Sequence, residues 1–218
     1  MKVIDNKALV LKTKRPHLIT EQVDDYKILN EVDGVYKIAV PWRLHEAQVL
    51  AGLRVKEVPS PMTRDYSYTG KYEPFDHQKE TSSFLTLHKK AFCFNEQGTG
   101  KTASVIWAVD YLMQQDKVKR VLVICPLSIM KSAWQEDLFK FAMHRSCSVA
   151  YGTSEQRKKI LNAGAEFVVI NFDGVAVVKD EIINGGFDVI VVDEANAYKN
   201  TQTNRWKTLR DITADTTW

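Results

Sequence analysis

Five short apolar runs constrain this chain most. They are Ala91 to Phe94, Val121 to Cys125, Ser148 to Tyr151, Phe167 to Ile170 and Val189 to Val192. Each is apolar on both faces rather than alternating, which is how strands of a parallel sheet covered by helices on either side read. Helical patterns separate the runs, so the expected class is α/β, a mostly parallel sheet flanked by helices. In such sheets ligands bind beyond the carboxyl ends of the strands, and the chemistry-bearing residues should be sought there.

The run Ala91 to Phe94 leads into Asn95-Glu96-Gln97-Gly98-Thr99-Gly100-Lys101-Thr102, and a helical pattern follows from Ala103 to Met113. Gly98 and Gly100 allow backbone N–H groups to turn inward around phosphate oxygens, where a Cβ would obstruct. The helix behind them adds its partial positive N-terminus. Lys101 can reach the β- and γ-phosphates and the Thr102 hydroxyl can coordinate Mg²⁺. Asn95 holds the position of the pattern's first glycine; Asn tolerates left-handed backbone, so the loop can still close. A glycine turn with a stray lysine is the blander alternative, and the strand before and helix after weigh against it.

The run Val189 to Val192 ends in Asp193-Glu194. A strand buried on both faces delivers its last residues to the ligand edge. Asp193 there can hold Mg²⁺ through water, and Glu194 can polarise an attacking water or accept its proton. Alone, such a pair reads as a solvated strand end or a helix cap; beside an upstream phosphate loop it points to phosphoryl transfer, which needs positioning, a metal and charge compensation.

Residues 1 to about 70 have another texture. Lys2 to Ile4 and Ala8 to Leu11 flank Asp5-Asn6, and Tyr26 to Val32 and Val35 to Val40 flank Asp33-Gly34. Both read as hairpins, the second more strongly, since Asp-Gly accepts the positive φ of a type I′ turn. Arg43 to Leu53 reads as a helix with Leu44, Ala47, Leu50 and Ala51 on one face, and Pro59-Ser60-Pro61 with Thr63 to Lys71 as a linker. The expected organisation is a small α+β domain over 1–70 and an ATP-binding domain over 71–218.

Composition adds bounds. With 218 residues, 44% hydrophobic and 26% charged, the chain can bury a core. A formal net charge of +3 permits a nucleic-acid partner without arguing for one. The three cysteines, Cys93, Cys125 and Cys147, form no CxxC pair and read as reduced residues of a cytosolic-type protein, with no zinc site expected. No apolar run approaches the roughly 20 residues that span a membrane, so no membrane partner is expected.

The motifs together resemble the Swi/Snf-type branch of superfamily 2 helicases. Asn95 to Thr102 is similar to that branch's phosphate-binding box. Val121 to Ser128, followed by Trp134, Glu136 and Phe139 to Phe141, resembles its motif Ia. Val168 to Asp173 resembles motif Ib, and Asp193 to Asn200 resembles Asp-Glu-Ala-His-x-x-Lys-Asn. Phe75-Asp76-His77-Gln78 resembles the aromatic-x-x-Gln motif that reads adenine. The resemblance covers about residues 72–218, with the motifs in the family's order, and does not extend to the first 70.

It implies a RecA-like lobe that binds ATP with Mg²⁺. By it, Gln78, Gln97, Gly98, Thr99, Gly100, Lys101 and Thr102 hold the nucleotide, Thr102 and Asp193 the metal, and Lys101 and Glu194 serve catalysis. Ser128, Lys131, Asn171 and Phe172 face nucleic acid, although Ser128 reads equally as a helix cap, Phe172 as core, and Trp134 as packing. Asn196 stands where the family usually has His, which puts coupling in doubt rather than metal binding. The resemblance also implies that a motif III and a second RecA-like lobe, the source of an arginine finger, would follow Trp218. A chain without that lobe is expected to bind nucleotide and hydrolyse it slowly or not at all.

The implied function is the ATP-binding N-terminal portion of a DNA-dependent ATPase, translocase or helicase, working on duplex or branched DNA in the cytoplasm, or in the nucleus of a eukaryote. The alternative is a nucleic-acid-binding or docking module with a nucleotide-gated, non-catalytic P-loop domain, its recognition carried by residues 1–70. Lys12, Lys14 and Arg15 near a strand end are the basic residues noticed there, against the blander reading of a solvated turn.

Overall fold

The computed structural model describes residues 1–68, 70, 72–212 and 214–218. The chain divides into two compact units, Met1–Ser67 with Thr86–His88, and Tyr68–Leu85 with Lys89–Trp218. The expected linker, Thr63 to Lys71, includes Thr69 and Lys71, which lie outside the described residues; its earlier part is no open tether. Ser60, Met62 and Tyr66 are buried around a short helix, and the Ser60 and Thr86 hydroxyls hydrogen-bond at 2.7 Å.

The first unit is a four-stranded antiparallel sheet. Strands β1 (Lys2–Ile4), β2 (Ala8–Thr13), β3 (Lys27–Val32) and β4 (Val35–Pro41) pair in the order β1-β2-β4-β3. Asp33 (φ 50°) and Gly34 (φ 70°) supply the left-handed pair that a type I′ hairpin needs. One face of the sheet carries Leu9, Leu11, Ile38 and Val40, packed with Ile19 of α1 (His17–Thr20), with Trp42, and with Leu50 of α2 (Leu44–Gly52). The short helix α3 (Met62–Asp65) follows.

The second unit is a parallel five-stranded sheet, β5 (Val121–Cys125), β6 (Cys147–Ala150), β7 (Phe167–Asn171), β8 (Val189–Val192) and β9 (Thr216–Thr217), ordered β6-β7-β5-β8-β9. Its helices are α4 (Asp76–Leu87), α5 (Lys101–Gln114), α6 (Glu136–Phe141), α7 (Ser154–Leu161), α8 (Phe172–Val177), α9 (Lys179–Ile183) and α10 (Asn204–Asp211). Every residue of β5 and of β7 is buried, as the two-sided apolar runs require. Leu122, Ile124, Val168, Ile170 and Ile190 form one core cluster with Leu161, Val175, Val178 and Ile182 from the helices. Thr153 starts α7 with a reciprocal cap: its N–H donates to Gln156 Oε1 at 2.8 Å, and its hydroxyl accepts from the Gln156 N–H at 3.3 Å.

Two features depart from the expectation. Ala91 to Phe94 forms no strand. The segment meets the sheet through a parallel bridge, Lys90 to Thr217, and through the Ala91 N–H donating to the Thr217 carbonyl at 3.2 Å. Among the described residues its strand neighbour there is β9, which offers two ladder residues, Thr216 and Thr217. Beyond them Phe92 and Phe94 stand 74% and 88% exposed and stack on each other at 5.8 Å. Second, the segment after β5 is not a plain helix: a 3₁₀ turn (Leu127–Ile129) runs into a π-helical turn (Met130–Gln135) before α6. Wide turns of this kind displace side chains from α-helical register.

Leu122 sits at the centre of β5 with no exposure. Leu122→Ala should lower unfolding free energy by about 2–5 kcal/mol, measured by urea denaturation; a loss below about 1 kcal/mol would mean this sheet is not the unit's stabilising core.

Candidate nucleotide site

The loop before α5 is built on glycine geometry. Gly98 (φ 81°) and Gly100 (φ 78°) both occupy the left-handed region. Gly100 is also sterically compelled, because a Cβ there would collide with the Gln78 side-chain amide. That amide fixes the loop from α4: Gln78 Nε2 donates to the Thr99 carbonyl at 3.0 Å, and its Oε1 accepts from the Phe75 N–H at 3.0 Å. His77 Nε2 donates to the same Thr99 carbonyl at 3.1 Å. One donor and one acceptor position of Gln78 remain after these bonds, the complement an adenine edge calls for.

Gly100 begins α5 without a side-chain cap. The first-turn N–H groups of a 14-residue helix therefore face the loop, with the partial positive charge of the helix end behind them. Lys101 curls back over the loop, donating to the carbonyls of Asn95 at 3.0 Å and Glu96 at 2.9 Å.

On β8 the chain ends its buried run and turns abruptly. Glu194 has φ 55° and ψ 53°, a left-handed conformation uncommon for a non-glycine residue. The turn folds the Glu194 N–H back onto Asp193 Oδ1 at 2.9 Å. The other oxygen, Oδ2, accepts from the indole N–H of Trp134 at 3.0 Å. The Asp193 N–H donates to the Ile124 carbonyl at 2.9 Å, locking the carboxylate to the end of β5. Asp193 is half-buried and Glu194 exposed.

Part of this set shares one cleft of about 820 Å³; Gln78, Gly98, Thr99 and Gly100 do not line it. Asn95, Gln97, Lys101 and Thr102 line it from the loop side, and Trp134, Asp193, Glu194 and Asn196 from the β8 side. Among the described residues no group of three or more His, Cys, Asp or Glu is placed to hold a metal ion. Thr102 and Asp193 both line the cleft, a hydroxyl and a carboxylate of the oxygen type that Mg²⁺ takes.

The residues matched to nucleic-acid contacts separate into two kinds. Ser128 and Lys131 are exposed on the turns after β5. Asn171 is 8% exposed and its side-chain oxygen accepts from Arg157 Nη1 at 2.9 Å. Phe172 packs against the core cluster, edge-on to Tyr198 at 5.5 Å. Trp134, read from sequence as packing, is buried and also holds Asp193. Nothing local signals this contact, since 59 residues separate the partners.

The family model of the SNF2-related domain matches residues 46–218. The chain belongs to the SNF2-related domain family. It is 24% identical over 201 residues to the uncharacterized ATP-dependent helicase YqhH of Bacillus subtilis, covering 88% of this chain and 34% of that protein. To the mouse chromodomain-helicase-DNA-binding protein 1-like it is 32% identical over 126 residues, 55% of this chain and 14% of that one. The solved Sulfolobus solfataricus SWI2/SNF2 ATPase core in complex with dsDNA matches with a TM-score of 0.60 and 26% identity, over 70% of this chain and 32% of that one. The chain thus spans about a third or less of the relatives it matches. The second unit is the RecA-like α/β layer of this SNF2-related family.

Burial first, and the Asp193 charge second, push the Cys125 thiol up to about 12; burial alone pushes Cys147 up to about 11. Cys93 lines the cleft and is half-buried. At pH 8 a maleimide should therefore label Cys93 first, and Mg-ATP should slow that labelling severalfold. Equal labelling of all three thiols, or no protection, would contradict this geometry. Trp134→Phe keeps most of the ring and removes the donor to Asp193. It should raise the Mg²⁺ concentration needed for half-maximal binding of a fluorescent ATP analogue by about 10- to 150-fold, the scale of one hydrogen bond to a charged group, with metal-free nucleotide binding little changed.

Proposed function

We propose that this chain is the ATP-binding part of a DNA-dependent ATPase or translocase, and that the cleft between Lys101 and Asp193 is its nucleotide site. The observation carrying the reading is that the loop lysine, the Thr102 hydroxyl and the Asp193-Glu194 pair line one cleft. Family membership supports nucleotide use, since relatives are named ATP-dependent helicases. The DNA partner is proposed from the SNF2 relative solved in complex with dsDNA.

In this reading the backbone N–H groups of Gly98 to Thr102 and the start of α5 cradle the phosphates. Lys101 exchanges its two carbonyl partners for β- and γ-phosphate oxygens. Gln78 offers its remaining donor and acceptor to the adenine edge, and Gln97 borders the sugar-phosphate path. Thr102 and Asp193 would hold Mg²⁺, which neutralises charge on the phosphates as the terminal bond breaks. Trp134 and the Glu194 N–H keep the Asp193 carboxylate aimed while it does so. Glu194, exposed at the strand end, orients a water and accepts its proton as the oxygen attacks the γ-phosphorus; ADP leaves opposite. Charge compensation in the transition state falls to an arginine of a second RecA-like lobe. Ser128 and Lys131, both exposed, are the contacts offered to a DNA phosphate track.

Lys101→Ala should weaken ATP binding by at least tenfold in a fluorescence titration. Glu194→Gln should keep ATP binding within about threefold while lowering turnover in the full-length protein by 10²-fold or more, the scale of a lost general base. Undiminished ATP affinity in the lysine variant would refute the phosphate assignment.

A further inference from the structure

The outward face of the first unit's sheet carries a second charge pattern. Strand register places Lys2, Val10, Ala39 and Lys27 in one row across β1-β2-β4-β3. Lys12, Lys37 and Asn30 form the next row. Side chains alternate across a strand, and Leu9, Leu11, Ile38 and Val40 occupy the other, core-facing side. Lys2, Lys12, Lys27 and Lys37 therefore share one face, and all four are exposed.

That face has no acidic residue to answer them. The only acid in the four strands is Glu31. It lies opposite Tyr36, and Tyr36 packs against the core cluster. Asp5, Asp24, Asp25 and Asp33 sit in the turns at strand ends, and Asp25 is paired with Arg43 at 2.7 Å. Among the described residues none of the four lysines forms an ion pair.

Lys12 and Lys37 are direct cross-strand partners. Like charges so placed sit about 5 Å apart at Cβ and oppose pairing. A sheet that keeps such a pair without an intervening acid violates the local rule for stability, which is where function is to be sought. With strands about 4.8 Å apart, Lys2 and Lys27 stand about 14 Å apart across the sheet. That is close to the roughly 12 Å major-groove width that separates phosphate tracks on B-DNA.

We propose that this lysine face is a second, sequence-independent docking surface for duplex DNA, separate from the nucleotide cleft and acting through phosphate neutralisation. It rests on the reading of the chain as part of a DNA-acting motor, and assigns to the first unit the task of holding duplex. Neutralising phosphates releases counterions, so the signature is the salt dependence of binding rather than base preference.

The test titrates the whole 218-residue chain into a fluorescein-labelled duplex without nucleotide, over a series of salt concentrations. Lys2→Gln/Lys12→Gln/Lys27→Gln/Lys37→Gln should lower the slope of log K against log salt by about 3 and weaken binding at about 0.1 M salt by tenfold or more. The four-fold Lys→Arg variant should restore the wild-type slope. Lys12→Gln/Lys37→Gln alone should show about half the fall, which keeps the test decisive if the four-fold variant folds poorly. Four substitutions elsewhere, Lys56→Gln/Lys117→Gln/Lys159→Gln/Lys207→Gln, should change the slope by less than half as much. Wild-type duplex binding with an unaltered slope in both face variants would overturn the proposal and leave the motor reading standing. Absence of any duplex binding by the wild-type chain would overturn both.

Discussion

The Asp193 carboxylate is held by donors from two directions, and the rest of the site is arranged around that fixation. A carboxylate at the end of a buried strand has no intrinsic reason to point into a cleft; left alone it would turn to water. Here the Trp134 indole takes one oxygen and the Glu194 N–H the other. Two N–H donors to one charged acceptor also help offset what partial burial of the charge costs. The unusual turns on both sides follow from this need. A π-helical turn brings Trp134 round to the carboxylate, and a left-handed Glu194 brings its own N–H back.

The same logic governs the opposite wall. The phosphate loop is a set of backbone groups that must face inward, and it is held from behind by α4 as well as by the Lys101 and Thr99 side chains within it. Gln78 and His77 converge on one carbonyl, Thr99, and Gln78 comes so near Gly100 that no side chain fits there. Glycine at position 100 is thus required twice, by backbone conformation and by space. Gly98 is required once, by conformation, since a Cβ there meets nothing within 4 Å. Strain on one wall and close approach on the other are features a stable fold would shed unless the cleft needed them.

What the sequence disclosed depends on how local the determining physics is. β5 and β8 were legible to the residue because a strand covered on both faces must be apolar throughout. The Asp33-Gly34 hairpin was legible because positive φ at two successive residues selects few dipeptides. Ala91 to Phe94 misled because apolarity reports that a segment is shielded or shared, not that a ladder partner exists; β9 supplies only two residues. The burial of Asn171 was illegible for a related reason, whereas the core reading of Phe172 was open from sequence. Arg157 takes up the Asn171 side chain from 14 residues away, and no spacing rule encodes such a partner. The loop and the acidic pair were each readable alone, but their shared cleft is a property of strand order, which places β8 between β5 and β9.

Strand order also explains why the two units handle charge differently. In the parallel sheet both faces are covered, so charge appears at strand ends and in few copies, as at Asp193, which named donors pin. The antiparallel sheet covers one face, and the other is free to carry charge in rows. Pinned groups suit a ligand that must be held in one pose while bonds rearrange. Rows of mobile lysines suit a polymer whose phosphates repeat and whose register need not be fixed, because compact ammonium groups on flexible stems act as point charges. The uncompensated Lys12–Lys37 pair follows from the same division: an acid between them would relieve the repulsion and at the same time cancel the field that a polyanion would meet.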